Sequence, residues 1–402
     1  MTKDRAILLF GLVTYGMGQS LLYVIFGPLA RDLGLAEWQF GVLISASNIT
    51  VVAMSPMWGR VSQSRGRKNV FIFGLLGYAV GYSGLAFGIQ IGLWGWLAPI
   101  PLFMLLFGAR IVYGAMASAI SPSATAYIAD TTDATNRSAG MALIAASGGI
   151  GTIIGPAFGG VLAKIGPVVP MYTASALAVV AAIWAALQLV EPNKHADMGA
   201  GVKLKITDMR VFPYLLGWFV IFMVFTAVQV ITAFYIEDRF GITNREDVIT
   251  VASIALLSMA LVTLTVQVGV MQIWKLSPKV LLRTAYFIFA GVLLLFAYSQ
   301  TLLMMYIAYG GMGMSFALAA PGLNAAGSLA VEANEQGAVA GLLSAAPAFG
   351  MVFGPALGGL VYNLAPTLPM IGGAVLSVLV GLYFLTVRIP DPQSGQPGTP
   401  AD

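Results

Sequence analysis

The chain has 402 residues, of which 58% are hydrophobic and only 9% are charged, and its mean hydropathy is +0.87. Soluble globular domains carry about 25% charged residues. This composition therefore excludes a cytosolic enzyme, a nucleic-acid-binding module and a disordered chain. The net charge of +4 at pH 7 comes from loop residues and reflects membrane topology rather than a nucleic-acid partner. The sequence predicts an integral protein of the lipid bilayer.

Apolar runs of span length predict transmembrane helices, because a helix needs about 20 residues to cross the hydrocarbon core. Twelve such runs occur, and each is too long and too uniformly apolar for a barrel strand. They lie near residues 6–29, 38–58, 69–91, 101–127, 138–162, 168–190, 214–236, 248–273, 279–299, 302–329, 338–362 and 367–387. We predict an all-α membrane protein in which the first run is retained as a span rather than cleaved as a signal peptide.

The positive charges predict the orientation of these spans. If the N-terminus is cytoplasmic, only four of the 20 Lys and Arg residues fall in outer loops, namely Arg31, Lys164, Arg239 and Arg245. Arg110 lies within a span, and the remaining 15 fall on the cytoplasmic side. Cytoplasmic loops of membrane proteins carry an excess of Lys and Arg. Both termini are therefore predicted to be cytoplasmic, in a bacterial inner membrane.

A polar segment divides the chain into two parts with six spans each. Residues 1–190 are predicted to form an N-terminal six-helix bundle and residues 213–388 a C-terminal one. Residues 191–212 form a cytoplasmic linker between them. Residues 389–402 are rich in Pro and Gly and predict a disordered tail.

The two halves carry the same motif, G-x-x-x-G-P-x-x-G-G, in the fifth and eleventh spans. It comprises Gly151, Gly155, Pro156, Gly159 and Gly160 in the first half and Gly350, Gly354, Pro355, Gly358 and Gly359 in the second. Glycines four residues apart allow close helix packing, and proline permits a kink. Two parallel six-span repeats are typical of a large transporter fold with a substrate site near the midplane. Of these residues, the candidates for conformational gating are Gly151, Gly155, Pro156, Gly159, Gly160, Gly354 and Pro355.

Two further motifs accompany the repeat. The loop after the second span reads G-R-V-S-Q-S-R-G-R-K and contains Gly59, Gln63, Gly66, Arg67 and Lys68. The fourth span begins a R-x-x-x-G pattern at Arg110. With the repeated glycine motif, these resemble the major facilitator superfamily, and within it the twelve-span drug:proton antiporter branch.

The resemblance covers essentially the whole chain and implies two pseudo-symmetric six-helix bundles. It also implies that the loop after the second span takes part in gating and that Asp130 pairs with Arg67. Gln63 departs from the family, which has an aspartate at that position. An amide contributes no charge there, so the resemblance implies a weaker clamp between the halves.

Ionisable residues inside a span are costly and suggest function. Arg110 is the only charged residue well inside a predicted span, and no Asp or Glu lies inside one. Proton coupling through a buried carboxylate therefore has no mid-span candidate. Three routes remain open: a carboxylate at a helix end, with Asp32 and Asp130 as candidates and ranked first; coupling through Arg110 and the substrate's own ionisation; or transport without protons.

Neutral polar residues accompany Arg110 on the spans that, by the resemblance, line the central path, and on the second span. The predicted substrate-binding residues are Tyr15, Gln19, Tyr23, Asn48, Arg110, Tyr113, Gln229, Tyr306 and Tyr309. Aromatic walls with a few hydrogen-bonding groups suit amphipathic organic molecules. A guanidinium adds a preference for a carboxylate or phosphate. For any single Tyr or Gln, helix–helix packing is an alternative role.

These observations predict a secondary active transporter rather than an enzyme. We expect it to export drugs or metabolites of amphipathic or anionic character by alternating access, as a proton antiporter. A proton-independent facilitator or importer of a polar metabolite is the alternative. The chain has no cysteine, a single histidine, His195, and no G-x-x-x-x-G-K-[ST] loop, so no metal, cofactor or nucleotide is expected. A small-molecule substrate is the expected partner, and a monomer the expected state.

Overall fold

Helices account for almost all of the residues that the computed structural model describes, which are 3–132, 137–192, 204–271, 276–332 and 335–389. Most of the predicted linker, residues 193–203, and the predicted tail, residues 390–402, lie outside the described residues.

The helices are named here in chain order. They are α1 Lys3–Asp32, α2 Glu37–Arg65, α3 Arg67–Leu93, α4 Pro99–Ala117, α5 Ile120–Thr131, α6 Arg137–Leu162, α7 Val169–Gln188, α8 Phe212–Phe240, α9 Arg245–Thr265, α10 Pro278–Ala297, α11 Leu302–Leu329, α12 Gln336–Tyr362 and α13 Leu368–Thr386. Proline occupies the first turn of α4, α7, α10 and α13, where its missing N–H costs no hydrogen bond. Gly66, with φ of 95°, makes the sharp turn between α2 and α3.

The all-helical membrane fold predicted from the sequence is confirmed. Within the described ranges, 11 helices are long and apolar enough to cross a membrane, and α6 adds a shorter apolar stretch, Ser147–Leu162. The predicted fourth span is a broken helix, because α4 and α5 are separated by a turn at residues 118–119. The predicted eighth span continues from α9 into a π-helical turn, Val266–Val270.

The described contacts divide the chain into two compact units. Unit 1 comprises Met1–Asp197 with Val230–Ile254, and unit 2 comprises Met198–Gln229 with Ala255–Asp402. The C-terminal part of α8 and the first half of α9 thus belong to unit 1. The bundle boundaries given above from the sequence remain predictions.

In unit 1 the glycine motif forms a cleft for α1. A Cβ added at Gly155 would overlap the Ser20 hydroxyl and the Met17 carbonyl, and Pro156 lies beside it inside α6. Further along α6, Gly159 faces Leu21. Backbone and side chain of α1 therefore occupy the space that a larger residue on α6 would need.

Unit 2 repeats this arrangement between α8 and α12. A Cβ added at Gly354 would overlap the Thr226 hydroxyl and the Met223 carbonyl, with Pro355 inside α12. Unit 1 adds one contact beyond the repeat, because Gly160 faces Ser253 on α9. The sequence repeat thus marks equivalent helix pairs, the fifth span against the first and the eleventh against the seventh.

Candidate functional site

Arg110 is the charged side chain that the described chain buries most deeply, at 1% exposure. Its Nε donates to the Leu43 carbonyl at 3.4 Å and its Nη2 donates to the Ser47 hydroxyl, both on α2. Its Nη1 has no hydrogen-bond partner among the described residues, and none of their ion pairs includes Arg110. A buried cation without a counter-charge is costly, so this site is complementary to an anion.

A cluster of tyrosine rings lies beside the guanidinium. The Arg110 Cζ is 4.8 Å from the centroid of the Tyr113 ring, a cation–π contact. Tyr78 and Tyr82 on α3 stack on each other at 5.2 Å, and their centroids lie 5.7 and 5.9 Å from that of Tyr113. The positive charge thus lies against the face of one tyrosine ring, and two further tyrosines pack on that ring.

Helix α1 supplies the other side of this cluster. Gln19 Nε2 donates to the Tyr15 hydroxyl at 3.0 Å, and the Asn48 side chain lies within hydrogen-bonding reach of the Tyr23 hydroxyl. The phenols of Tyr15 and Tyr23 both lie close enough to Arg110 to interact with its charge. Unit 1 therefore brings together six of the predicted substrate-binding residues, Tyr15, Gln19, Tyr23, Asn48, Arg110 and Tyr113.

Three members of the cluster were not predicted from the sequence, namely Ser47, Tyr78 and Tyr82. The two tyrosines are four residues apart, a spacing that places them on one face of a helix, so a usable signal was present. Tyr82 donates to the Gly18 carbonyl at 2.7 Å, and a Cβ on Gly18 would overlap the Tyr78 hydroxyl. Gly18 therefore makes room for the rings of α3 against α1.

The remaining predicted substrate-binding residues lie in unit 2. Gln229 on α8 is buried. Tyr306 on α11 is half-buried, and its carbonyl accepts a hydrogen bond from Ser258 at 3.1 Å. Tyr309 is fully buried, with its ring edge-to-face against Phe296 at 5.5 Å. Tyr309 thus packs between α10 and α11.

Unit 2 also contains a wall of aromatic rings. The ring centroid of Phe316 lies 6.2 Å from that of Trp218, 5.0 Å from that of Phe222 and 5.8 Å from that of Phe225. The Trp218 indole donates to the Asn324 amide oxygen at 3.2 Å. These contacts join α8 and α11 through aromatic rings and the Asn324 amide.

An apolar cavity of about 340 Å³ lies between α8 and α12 in unit 2. Its lining includes Phe212, Leu216, Phe219, Leu342, Phe349 and Phe353. The cavity offers space for a hydrocarbon group but no side chain that would select a charge.

The predicted pairing of Arg67 with Asp130 is present in unit 1, where α3 begins and α5 ends. Arg67 Nε lies 2.8 Å from Asp130 Oδ2, and Arg67 Nη1 donates to the Ser62 hydroxyl at 2.6 Å. Gly59 contributes its carbonyl to the same guanidinium at 3.4 Å. This arrangement ties the start of α3 to the ends of α2 and α5.

Gln63, the residue that departs from the family loop, is exposed. A carboxylate from a distant segment binds this turn instead. Glu191 accepts the backbone N–H groups of Arg67 at 2.5 Å and Lys68 at 3.1 Å, which caps the positive N-terminus of α3. A Cβ on Gly66 would overlap this carboxylate. The sequence gives no signal for the contact, because the residues are far apart in the chain.

Arg31 forms a second group of ion pairs in unit 1. Its guanidinium nitrogens lie 2.7 Å from a carboxylate oxygen of Glu37, 2.9 Å from one of Glu237 and 2.7 Å from one of Asp238, and its Cζ lies 5.1 Å from the Phe234 ring centroid. These contacts join the C-terminal ends of α1 and α8 to the start of α2.

Asp32, the first proton-coupling candidate, pairs with Arg245. Asp130, the second, pairs with Arg67. Both candidates are therefore ion-paired carboxylates near helix ends. The described residues contain no group of three or more metal-ligand side chains.

Unit 2 has one comparable cluster outside its spans. Arg210 pairs with Asp208 at 2.8 Å and with Glu335 at 2.9 Å. Hydrogen bonds from the guanidinium lower the pKa of both carboxyl groups. These contacts tie the segment before α8 to the start of α12.

The fold and this site define a membrane transporter built from two helical units. The family model of the Major Facilitator Superfamily matches residues 8–346. The chain belongs to the major facilitator superfamily, and it is therefore a multi-pass membrane transporter rather than an enzyme.

Two relatives cover most of the chain. It is 28% identical over 390 residues to "Multidrug resistance protein 2" of Bacillus subtilis (strain 168), covering 94% of this chain and 93% of the relative. It is 29% identical over 374 residues to "Tetracycline resistance protein, class G" of Vibrio anguillarum, covering 87% of each.

A solved structure matches the fold at low identity. The bacterial homolog of the human lysosomal transporter Spinster, in its inward-facing and occupied conformation, has a TM-score of 0.72 at 13% identity, covering 96% of this chain and 97% of that one. At this identity the match supports the fold alone.

Proposed function

We propose that this chain exports small amphipathic or anionic organic molecules, such as drugs or metabolites, by alternating access and in exchange for protons. The observation that supports this proposal most directly is Arg110, a buried guanidinium with one nitrogen that has no partner among the described residues, beside a cluster of tyrosines. A ligand that brings its own negative charge would supply the missing partner of this cation.

Alternating access is supported by the paired glycine clefts. Gly155 and Gly354 admit the backbone of α1 and of α8 at equivalent positions, so each unit has a tightly packed helix pair that can move as one body. We propose residues 1–190 and 213–388 as the two bundles that move and 191–212 as their linker. Export is supported by the relatives, which are resistance proteins by name.

Gating is proposed for the loop between α2 and α3 and for the two glycine motifs. Arg67 connects this loop to Asp130, so protonation of Asp130 would release the guanidinium. Protonation of Asp32 would release Arg245 in the same way. Either carboxylate is thus a candidate for proton coupling. The proposed location is a bacterial inner membrane, with both termini cytoplasmic and the protein a monomer.

The test is transport by the purified full-length chain in proteoliposomes with an acidic lumen. The probes are 2-naphthalenesulfonate, which stays ionised at working pH, and the cation ethidium, with protein-free liposomes as the control. An antiporter would accumulate a probe while the lumen becomes more alkaline in proportion. No protein-dependent movement of either probe would contradict the proposal.

A second candidate is a proton-independent facilitator or importer of a polar metabolite. It is favoured by the acidic residues of the described helices, which lie near helix ends rather than in mid-span. In the same proteoliposomes a facilitator would equilibrate a probe down its gradient without changing the pH of the lumen.

A further inference from the structure

Four buried polar groups of unit 1 lack a hydrogen-bond partner among the described residues. One is the Ser253 hydroxyl on α9, and the other three are Arg110 Nη1, the Tyr78 hydroxyl and the Tyr113 hydroxyl. All three can donate a proton. Buried donors are rarely left unpaired, because each costs its full desolvation penalty. Their shared deficiency is therefore an acceptor, and a ligand that carries oxygen acceptors would satisfy it.

These donors belong to one cluster of side chains. The Tyr113 ring lies 4.8 Å from the Arg110 Cζ and 5.7 Å from the Tyr78 ring. Of the other hydroxyls in the cluster, that of Tyr15 accepts a hydrogen bond from Gln19 and that of Tyr82 donates one to the Gly18 carbonyl. Three of the four unpartnered groups of the unit thus belong to the cluster around Arg110 and Tyr113.

The charge of the cluster limits the ligand to a monoanion. Arg110 is its single cation, and the guanidinium forms no ion pair in the described chain. One carboxylate would balance this charge, whereas a phosphate monoester would leave an excess negative charge in an apolar interior. Nη2 and Nε already donate hydrogen bonds to Ser47 and Leu43. The guanidinium therefore offers Nη1 as its one unpartnered nitrogen and does not bind a ligand through two nitrogens.

We propose that Arg110, Tyr113 and Tyr78 form a binding site for the carboxylate of an aromatic monocarboxylic acid. One carboxylate oxygen accepts from Arg110 Nη1 and the other from a tyrosine hydroxyl. The tyrosine rings favour an aromatic body next to this group. The inference deepens the proposed function, on which it rests for transport, by naming the substrate class of this site.

The test is calorimetric titration of the purified full-length chain in detergent at pH 7 with two probes of nearly the same shape. The anion 2-naphthoate carries the carboxylate, and 2-naphthamide replaces it with a neutral amide. We expect 2-naphthoate to bind at least about 10-fold more tightly, because a hydrogen bond to a charged group is worth roughly that factor or more.

Two variants assign this selectivity to the site. Arg110→Gln is expected to weaken the binding of 2-naphthoate by about 10- to 100-fold and to leave the affinity for 2-naphthamide unchanged. Tyr113→Phe keeps the ring, removes one donor and is expected to weaken 2-naphthoate by about 3- to 10-fold. The matched control is Arg283→Gln, because Arg283 binds the backbone carbonyls of Phe384 and Leu385 in unit 2. It should leave both affinities unchanged.

Equal affinity for the two probes would overturn the inference, and so would an equal loss of both in Arg110→Gln, which is the pattern of a purely structural residue. If the Arg110→Gln variant does not fold, the Tyr113→Phe variant provides the test. Unchanged affinity of that variant for 2-naphthoate would overturn the proposed carboxylate site. Binding needs no gradient. A chain that binds 2-naphthoate selectively but moves no probe into liposomes keeps this inference and loses the proposed function.

Discussion

Unit 1 and unit 2 share a helix packing but differ in the side chains around it. In unit 1, Gly155 admits Ser20 and the backbone of α1, and in unit 2, Gly354 admits Thr226 and the backbone of α8. Each glycine is followed by a proline in the same helix. The repeat therefore preserves how closely two helices approach, a property that depends on the absence of a side chain.

The chemistry beside this packing is not repeated. Unit 1 buries Arg110 beside Tyr78, Tyr82 and Tyr113, whereas unit 2 has an aromatic wall centred on Phe316. Unit 1 thus places a cation and phenol groups beside the shared packing, whereas unit 2 places aromatic rings there.

The largest expected effect comes from filling the two clefts. We expect Gly155→Val and Gly354→Val each to lower the free energy of unfolding by about 3 kcal/mol, because the added side chain meets backbone atoms that cannot yield. Thermal unfolding of the purified variants in detergent measures this loss. Similar losses at both positions would support equivalent packing in the two units.

Two open glycines provide matched controls. Gly84 in α3 and Gly372 in α13 have no atoms within 4 Å of an added Cβ. Replacing either with alanine should raise stability by about 0.5 to 1 kcal/mol, as for a glycine in a helix interior. A loss at only one cleft, or losses at the controls, would show that the packing is not shared.

The shared fold was predictable because it depends on local features of the amino-acid sequence. Span length, loop charge and the repeated glycine motif are local patterns, and the structure confirms the helices and the pairing of Arg67 with Asp130. The break between α4 and α5 was not predicted, although Pro122 lies in the first turn of α5 and cannot donate a hydrogen bond to the carbonyl of Ser118, where the turn occurs. The hydrogen bonds from the start of α3 to the Glu191 carboxylate form between residues far apart in the chain, so no motif spacing predicts them.

The second expected effect separates the two interiors. Phe316→Ala removes contacts with three aromatic residues. We expect this variant to lower kcat/KM for transport by about 10-fold for both 2-naphthalenesulfonate and 2-naphthamide, because apolar contacts do not distinguish a charged probe from a neutral one. Arg110→Gln should lower kcat/KM for the sulfonate alone. Transport by each variant in proteoliposomes gives both ratios. A charge-dependent loss in Phe316→Ala would contradict the division between the units.

The site was only partly predictable for a related reason. Arg110 is conspicuous because a charged residue in a span is rare, and Tyr15, Gln19 and Tyr23 follow helical spacing on one span. Which tyrosines meet around Arg110 depends on how α3 packs against α1, and Gly18 controls that approach. Tyr78 and Tyr82 therefore needed the structure, although their spacing already placed them on one helix face.

A third, smaller effect concerns the ion pairs of Arg31 and Arg245 in unit 1. Arg31 pairs with three carboxylates, whereas Arg245 pairs with Asp32. We expect Arg31→Gln to lower the free energy of unfolding by about 1 kcal/mol and Arg245→Gln by about 0.5 kcal/mol, since partly exposed pairs are weak individually and a network adds to them. Thermal unfolding in low and high salt checks both values. The difference between wild type and Arg31→Gln should narrow in high salt, and equal losses for the two variants would argue against a network.

The smallest effect compares this network with Arg210 in unit 2, whose hydrogen bonds lower the pKa of Asp208 and Glu335. A carboxylate with a lowered pKa stabilises the fold above its ordinary pKa, near 4, and that contribution is lost as the pH falls through the lowered value. We expect Arg210→Gln to reduce Tm by about 1 °C at pH 7, with the same difference at pH 5. The two proteins should converge below about pH 3, because both carboxyl groups are then protonated in each. A difference that shrinks between pH 7 and pH 5 would instead mean that a group with a higher pKa controls this contact.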